Sequence, residues 1–325
     1  MIHHIVLAAV LSLTLASPVV AASPAVPSSP AHGAGQAQQI PKYHVYAIRY
    51  GTLKDIPVNA LVPGADPARK MDTALMMWLI RGNGRTILVD TGFYRDRFMK
   101  SWKPIAYIKP TAAIAKLTLK PEQITDIIIT HLHWDHADGI DLFPKARVWT
   151  QKHEYDYYVG AAWPAAYDSF RKSCENGRAA KTQSDAPCDA VNPATDGVEG
   201  VYAEDILPLV RLNTEGRLHL IRGDGEEILP GITAYIGGKH TYESQYLGVN
   251  TAVGTVVLAS DNVYLYENVE KHVPITETSD PASNLRAQER MKSLVSDPKY
   301  IIPGHDPAVF TKFKTELAPG IASIE

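Results

Sequence analysis

The sequence has 325 residues, 45% of them apolar, which is enough for one large globular domain or two smaller ones. Its formal net charge is −3, and the sequence contains no run of Lys or Arg. This composition argues against a disordered protein. It also argues against nucleic acid as a partner, because a nucleic-acid-binding protein needs a basic face to attract phosphates.

The N-terminus has the features of an export signal. Residues 1–22 contain no Asp, Glu, Lys or Arg, and their apolar run is too short to span a bilayer comfortably. Val20 and Ala22 stand at the small-residue positions before a cleavage site, so we predict a signal peptide removed after Ala22 and a secreted or periplasmic product. A buried N-terminal helix is the alternative. No later stretch is long and apolar enough for a membrane helix, so we expect no stable membrane insertion.

Residues 23–41 are rich in Pro, Ala, Ser and Gly, and they predict a flexible linker. The folded domain is predicted over 42–325. It starts with alternating residues from Tyr43 (YHVYAIRYG), and then ALMMWLIRG and RTILVD predict two strands joined by a Gly-Asn-Gly turn.

Strands and helices then alternate along the chain. Residues 111–119 predict a helix, and 126–130 (DIIIT) and 146–150 (ARVWT) predict strands. Further strands are predicted for RLHLI, ITAYI, QYLGV, GTVVLAS and KYIIPG, with a helix over 283–295 before the last of these. The pattern is typical of an α/β protein with sheets and helices in layers.

Residues 155–213 lack clear periodicity, and we predict an insertion over one end of the sheets. Both cysteines of the chain, Cys174 and Cys188, lie in it, and an oxidising compartment would let them form a disulfide. Two unpaired thiols are the alternative.

The segment DIIITHLHWDHADG carries the most informative pattern. Three histidines and an aspartate, His131, His133, Asp135 and His136, follow directly on a buried strand. In an extended segment the first two imidazoles face one side, and a turn must then direct Asp135 and His136 elsewhere. Neutral imidazole and carboxylate suit zinc, with iron, manganese or cobalt as alternatives, so we expect a catalytic metal site, and one loop could serve two ions.

Four further polar residues follow other predicted strands. Asp90 ends RTILV, His240 follows ITAYIGGK, Asp261 follows GTVVLAS, and His305 follows YIIPG. Because sites of α/β proteins gather at the carboxyl ends of strands, we expect these side chains to converge on one rim.

These residues resemble the metallo-β-lactamase superfamily, whose His-x-His-x-Asp-His motif stands here as His131, His133, Asp135 and His136. The resemblance runs from about Tyr43 to Phe310. It implies a four-layer αββα sandwich and two Zn²⁺ ions, with other divalent metals possible. It also implies how the ligands are shared: His131, His133 and His240 on one ion, Asp135, His136 and His305 on the other, and Asp261 bridging. Asp90 matches the family's carboxylate that orients a ligand, or it caps the strand end and its turn.

Within the superfamily, the chain resembles the N-acyl-homoserine lactonases in ILVDTG, THLHWDHADG and VWTQKHEYDYY, and in a Tyr three residues after Asp261. This implies a quorum-quenching enzyme in which a hydroxide held by the metals opens the lactone ring of a small acyl lactone. Tyr264 would assist at the carbonyl, and Asp135 would pass a proton to the leaving oxygen. A Tyr packed at a strand end is the alternative for Tyr264.

Other functions stay open at this level. The alternatives are a β-lactamase, a phosphodiesterase, an aryl or alkyl esterase, and a non-catalytic metal-binding protein. A phosphodiesterase would want cationic groups near the metals, and Lys239 is the obvious one. Two departures from the family pattern are Lys239 before His240 and Asp138 after the motif.

The insertion is rich in aromatic residues, which would either wall a pocket for an acyl chain or form a separate hydrophobic cluster. They are Tyr155, Tyr157, Tyr158, Trp163, Tyr167 and Phe170.

Overall fold

The computed structural model describes residues 40–180, 192–314 and 317–324, which belong to one unit that begins at Ile40. The predicted signal peptide lies outside the described residues, as does all but the last two residues of the predicted linker. Cys174 is disulfide-bonded, and Cys188 lies outside the described residues. Within the described ranges, no helix is both long and apolar enough to cross a membrane.

The strands, in chain order, are β1 (His44–Pro57), β2 (Lys70–Gly82), β3 (Arg85–Val89), β4 (Asp126–Ile128), β5 (Arg147–Gln151), β6 (Leu218–Ile221), β7 (Glu226–Leu229), β8 (Ile232–Ile236), β9 (Gln245–Thr251), β10 (Gly254–Ser260), β11 (Ile301–Pro303) and β12 (Ile321–Ser323). They form a 7-stranded sheet in the order β12-β1-β2-β3-β4-β5-β6 and a 5-stranded sheet in the order β11-β10-β9-β8-β7.

The α-helices, in chain order, are α1 (Asp96–Trp102), α2 (Pro110–Ala115), α3 (Trp134–Ala137), α4 (Lys152–Asp156), α5 (Ala162–Ala180), α6 (Pro193–Asp196), α7 (Ala203–Thr214), α8 (Tyr266–Lys271), α9 (Pro281–Leu294) and α10 (Val309–Lys312). A π-helix (Tyr157–Ala161) joins α4 to α5. The helix predicted near the C-terminus is α9, where the Asp280 side chain caps the first turn by accepting from the Ser283 N–H.

The two sheets pack face to face, with helices on their outer faces. One apolar cluster lies between the sheets and includes Trp78 of β2 and Leu247 of β9. A second covers the outer face of the larger sheet, where Leu79 meets Leu209 of α7. A third covers the smaller sheet with Met291 of α9. The result is a four-layer αββα sandwich, as the sequence predicts.

β2 explains why its sequence is a continuous apolar run. Successive side chains of a strand point to opposite faces, so Leu75, Met77 and Leu79 enter one cluster while Met76 and Trp78 enter the other. The predicted hairpin is also present. β2 pairs antiparallel with β3 through a two-residue turn, and its central residues have the positive φ angles (50° and 69°) that an Asn-Gly pair accepts.

The predicted insertion is mostly helical. It runs from α4 through α7, and α7 packs into the cluster on the outer face of the larger sheet. Two strands are absent from the sequence predictions. β7 and β12 are short strands at sheet edges, and each pairs with a single neighbour, so neither needs a long apolar pattern.

The strands carrying the ligand-type residues all end on one side of the sandwich. β3 to β6 run parallel, as do β10 and β11. The turn after β3 is tied to α3, because the Thr91 N–H donates to the His136 carbonyl at 2.7 Å and the Gly139 N–H donates to the Gly92 carbonyl at 2.9 Å. A Cβ on Gly139 would lie 2.4 Å from the Thr91 carbonyl oxygen.

We therefore expect Gly139→Ala to destabilise the protein by about 2 kcal/mol, because backbone atoms would have to move apart. Gly160→Ala is the matched control, since a Cβ there meets no atom within 4 Å. Thermal unfolding followed by circular dichroism measures both. Equal melting temperatures for the two variants would contradict the close approach.

Candidate metal centre

The motif loop changes direction as its spacing predicts. The chain leaves β4 at Ile128, bends at Thr130 and is extended again at His133, whose φ and ψ are −61° and 149°. α3 then begins, so Asp135 and His136 lie in its first turn. His131 and His133 leave the extended part with their ring centroids 4.8 Å apart, while the helical turn carries Asp135 and His136 toward His305.

The structure brings all seven predicted ligands together. They form three overlapping groups whose ligand atoms lie within 4.8 Å of one another: His131, His133 and His240; His131, His136 and Asp261; Asp135, His136 and His305. Asp261 faces two of the histidines that the family pattern divides between the ions. Its Oδ1 lies 3.4 Å from His136 Nε2, and its Oδ2 lies 3.5 Å from His240 Nε2. This is the position expected of a shared carboxylate.

Each histidine has one ring nitrogen engaged outside the cluster. His131 Nδ1 lies 3.0 Å from Thr130 Oγ1, and His133 Nε2 lies 2.9 Å from the Glu199 carbonyl oxygen. The other three partners are Asp90 Oδ2 for His136 (2.8 Å), the Glu277 carbonyl for His240 (2.9 Å) and the Ala74 carbonyl for His305 (3.0 Å), all through Nδ1. Such contacts fix which nitrogen faces inward.

The inward atoms fit metal ions. Across the described residues, Nε2 of His131, His136 and His240 and Oδ1 of Asp261 are buried and have no hydrogen-bond partner. Buried polar atoms in proteins are almost always paired, and leaving several of them unpaired costs free energy. Because these atoms face one another, divalent cations between them would satisfy them all. Imidazole and carboxylate without thiolate are typical of catalytic zinc and related metals.

The electrostatics lead to the same conclusion. Burial, reinforced by neighbouring imidazoles, lowers the pKa of His131 well below 6.5, and burial lowers the pKa of His133 to about 3, so both are neutral as metal ligands must be. Burial also opposes charge on His136, but the carboxylates of Asp135, Asp261 and Asp90 outweigh it and raise the pKa well above 6.5. The carboxylates therefore favour positive charge at the centre of the cluster, and divalent cations would supply that charge.

Asp90 contacts a ligand through hydrogen bonds. It is fully buried, and its carboxylate accepts from Thr130 N and Thr130 Oγ1, both at 2.8 Å, as well as facing His136. It therefore holds His136 and the motif strand together. Of the two roles considered for Asp90, these contacts support that of orienting a ligand.

Tyr264 lies beside the cluster but is already engaged. Its hydroxyl donates to the Glu277 carboxylate at 3.0 Å and lies 3.3 Å from His240 Nδ1. Burial, followed by the charges of Asp261 and Glu277, raises the pKa of Tyr264 well above 10, so the hydroxyl keeps its proton. It can donate to a substrate oxygen only by leaving Glu277.

The two departures from the family pattern have structural explanations. Lys239 Nζ donates to the Tyr242 carbonyl at 2.6 Å and lies over the Tyr242 ring, so its ammonium group is engaged by Tyr242. Asp138 is buried and pairs with Arg95, and it also accepts from the Tyr94 N–H, so it anchors the start of α1.

A pocket of about 590 Å³ opens onto the cluster. Its lining includes the ligand residues His133, Asp135 and Asp261. It also includes an apolar wall, which consists of Leu53, Ile56, Pro57, Ala60, Leu61 and Trp102. Its size and mixed polarity are typical of a small-molecule site.

None of the aromatic residues of the insertion lines this pocket, so of the two alternatives for them the structure favours hydrophobic packing. Tyr155 and Tyr158 pack into the core on the outer face of the larger sheet, with Tyr157 and Trp163 against them. They extend that core because α4 and the π-helix lie directly on it. The insertion contributes Glu199 and Gly200 to the pocket instead.

The sequence reasoning missed three glutamates, Glu154, Glu199 and Glu277. Glu154 is fully buried and accepts from the backbone N–H groups of Leu132 at 3.2 Å and Glu243 at 2.6 Å. It thereby joins the motif loop to the loop that carries His240. Nothing in the local pattern distinguishes these residues from surface glutamates.

A family model described as the metallo-beta-lactamase superfamily matches residues 76–305, and the chain belongs to this superfamily. The N-acyl homoserine lactonase AiiA of Bacillus thuringiensis subsp. kurstaki is 25% identical over 263 residues, which cover 76% of this chain and 86% of AiiA. An N-acyl homoserine lactonase of Bacillus sp is 26% identical over 255 residues, covering 74% of this chain and 84% of its own.

Solved structures share the fold. The crystal structure of a quorum-quenching N-acyl homoserine lactone lactonase has a TM-score of 0.60 at 22% identity and covers 83% of this chain and 95% of its own. AidC, a dizinc quorum-quenching lactonase, has a TM-score of 0.55 at 16% identity over 86% of this chain and 93% of its own. The chain is thus a metal-binding hydrolase of the superfamily.

The buried carboxyl of Glu154 predicts a pH dependence of stability in the metal-free protein. Burial raises its pKa from 4.5 to about 7. Between these values the folded state keeps a proton that the unfolded state has lost, so the free energy of unfolding falls as pH rises.

Glu154→Gln cannot ionise at this position. Relative to this variant, the free energy of unfolding of the wild type should fall by about 3 kcal/mol between pH 4.5 and 7. Urea unfolding of chelator-treated protein across this range measures the difference. Parallel pH profiles for the two proteins would contradict the assignment.

Proposed function

We propose that this protein is an exported lactonase that uses two zinc ions to open the ring of N-acyl-homoserine lactones, and so acts in quorum quenching. The observation that carries the proposal is the pocket, whose lining combines the ligand cluster with an apolar wall and has no Lys or Arg among the described residues. A neutral ring with an acyl chain suits both parts of this lining. The lactonase names of relatives that cover three-quarters of the chain support the same substrate.

The ligand groups support two ions: His131, His133 and His240 would hold one, and Asp135, His136 and His305 the other, with Asp261 between them. Such ions polarise a carbonyl group and lower the pKa of an attacking water. The pocket exposes several of these ligands, whereas a purely structural metal site is closed. This favours an enzyme over a non-catalytic metal-binding protein.

The protein side chains complete the chemistry. Water adds to the lactone carbonyl carbon, the ring C–O bond breaks, and the product is a hydroxy acid. The imidazoles of His136 and His305 outweigh burial and hold the pKa of Asp135 below its usual value, so its carboxylate is ionised. It takes the proton that the water loses and delivers it to the leaving ring oxygen. Tyr264 donates to the carbonyl oxygen as its negative charge grows.

The site argues against three other hydrolases: a phosphodiesterase, a sulfatase and a β-lactamase. A phosphodiesterase or sulfatase binds an anion and needs cationic side chains near it, but Lys239 is held by Tyr242. Among the described residues, Glu199 and Glu277 add negative charge to the lining instead. A β-lactamase of this superfamily would not place a carboxylate at the Asp261 position.

Export follows from the N-terminal sequence alone, as a signal peptide over residues 1–22 that is cleaved after Ala22. A secreted or periplasmic location would bring the enzyme to signalling lactones outside the cytoplasm.

Metal dependence is the first test. The mature protein should contain about two metal ions per chain. Chelation should abolish turnover of acyl-homoserine lactones, and added zinc should restore it.

His305→Ala should lower the metal content, whereas His153→Ala, on the exposed side of α4, should not. β-Lactams, phosphodiesters and aryl esters assayed on the same sample form the comparison panel. Lactone turnover that resists chelation would overturn the proposal.

Tyr264→Phe is the second test. It should lower kcat on the order of 100-fold without loss of metal, because one donor to the developing oxyanion is removed. Tyr246→Phe is the matched control, since the Tyr246 hydroxyl is buried without a hydrogen-bond partner among the described residues. Steady-state kinetics and metal analysis are run on both variants. An unchanged kcat in Tyr264→Phe would remove its proposed role.

A further inference from the structure

A tight turn from the predicted insertion covers the ligand His133. Val198 and Val201 exchange both backbone hydrogen bonds, at 2.8 and 2.9 Å. The two residues between them, Glu199 and Gly200, have φ angles of 52° and 78°. Glycine accepts this left-handed conformation readily, but glutamate does not, and such a residue persists only where its surroundings hold it.

The turn contacts one edge of the His133 ring through two residues. The His133 Nε2–H donates to the Glu199 carbonyl at 2.9 Å, which leaves the lone pair on Nδ1 for a metal ion. A Cβ on Gly200 would lie 2.9 Å from His133 Cδ2, the ring atom next to Nε2, so the glycine backbone packs directly against the same edge of the imidazole. The Gly200 carbonyl also accepts from the Trp134 N–H at 3.3 Å.

The Glu199 carboxylate holds the turn in place. Tyr157 donates to its Oε1 at 3.2 Å, and Tyr158 donates to its Oε2 at 3.0 Å. These two tyrosines are the first residues of the π-helix, and both of their hydroxyls reach the one carboxylate. Tyr158 is fully buried in the core, so the turn is tied to a rigid element.

The same tyrosines link this turn to the second ligand loop. Tyr157 stacks on Tyr242, with ring centroids 4.1 Å apart, and Tyr242 follows the ligand His240 by two residues. The contacts around Glu199 therefore support two ligands of the same ion.

We propose that Glu199 is a positioning residue for His133. Its carboxylate accepts hydrogen bonds from Tyr157 and Tyr158, and these keep the turn in its left-handed conformation. Its backbone carbonyl then determines the tautomer and the ring orientation of His133. The inference rests on the metal-binding role of His133 in the proposed function. It predicts that loss of the two tyrosine hydrogen bonds weakens the binding of the ion held by His131, His133 and His240. Binding of the ion held by Asp135, His136 and His305 should not change.

The test is Co²⁺ titration of the chelator-treated protein, followed by the visible absorption of the bound ions and by competition with a chelator. Glu199→Ala and the double variant Tyr157→Phe/Tyr158→Phe should each weaken one of the two binding events by about 10- to 100-fold and change its spectrum. Glu199→Gln should restore most of the affinity, because an amide can accept from one hydroxyl and donate to the other.

Gly200→Ala should weaken binding of the same ion, because the added Cβ displaces the His133 imidazole. Gly216→Ala is its matched control, because it has nearly the same φ (68°) but nothing within 4 Å of an added Cβ, so it carries the backbone strain alone. If both Co²⁺ affinities are unchanged in Glu199→Ala and also in the double tyrosine variant, the inference is overturned. Lactone turnover by the wild type judges the proposed function separately, because the Co²⁺ titration does not depend on the substrate.

Discussion

The structure depends on the concentration of five imidazoles and two carboxylates in one largely buried space. Their inward atoms have no partners among the described residues except one another, and the carboxylates raise the pKa of His136 and bring that of His305 to about 9, although burial opposes both shifts. Such a cluster is unfavourable without cations. The fold tolerates it because metal binding offsets the cost of burying these groups.

The surrounding contacts keep this cluster ordered. Each histidine gives one nitrogen to a partner outside the centre, and for four of the five that partner comes from a distant part of the chain: the turn after β3, β2 itself, the insertion and the loop after α8. Metal affinity therefore depends on the packing of the whole sandwich. Glu154 extends this principle, since one buried carboxyl joins the two loops that carry His131, His133 and His240.

The substrate is determined by different residues from those that bind metal. The ligands belong to the superfamily, whereas the apolar wall, Trp102, Glu199 and Glu277 belong to loops around it. Tyr264 connects the two sets, because its hydroxyl lies between His240 and Glu277. The role proposed for Tyr264 therefore requires its hydroxyl to leave Glu277 when substrate binds.

Much of this protein follows from local sequence patterns. The Asn-Gly hairpin, the apolar strands and the His-x-His-x-Asp-His loop depend on residues close together in the chain, so turn geometry and side-chain alternation are enough to predict them. The ends of apolar strands likewise indicate Asp90, Asp261 and His305. The helical form of the insertion, the pocket wall and the roles of Glu154, Glu199 and Glu277 depend on contacts between distant segments. A glutamate becomes a buried link or the holder of a turn only when folding brings its partners to it, and no local pattern records that.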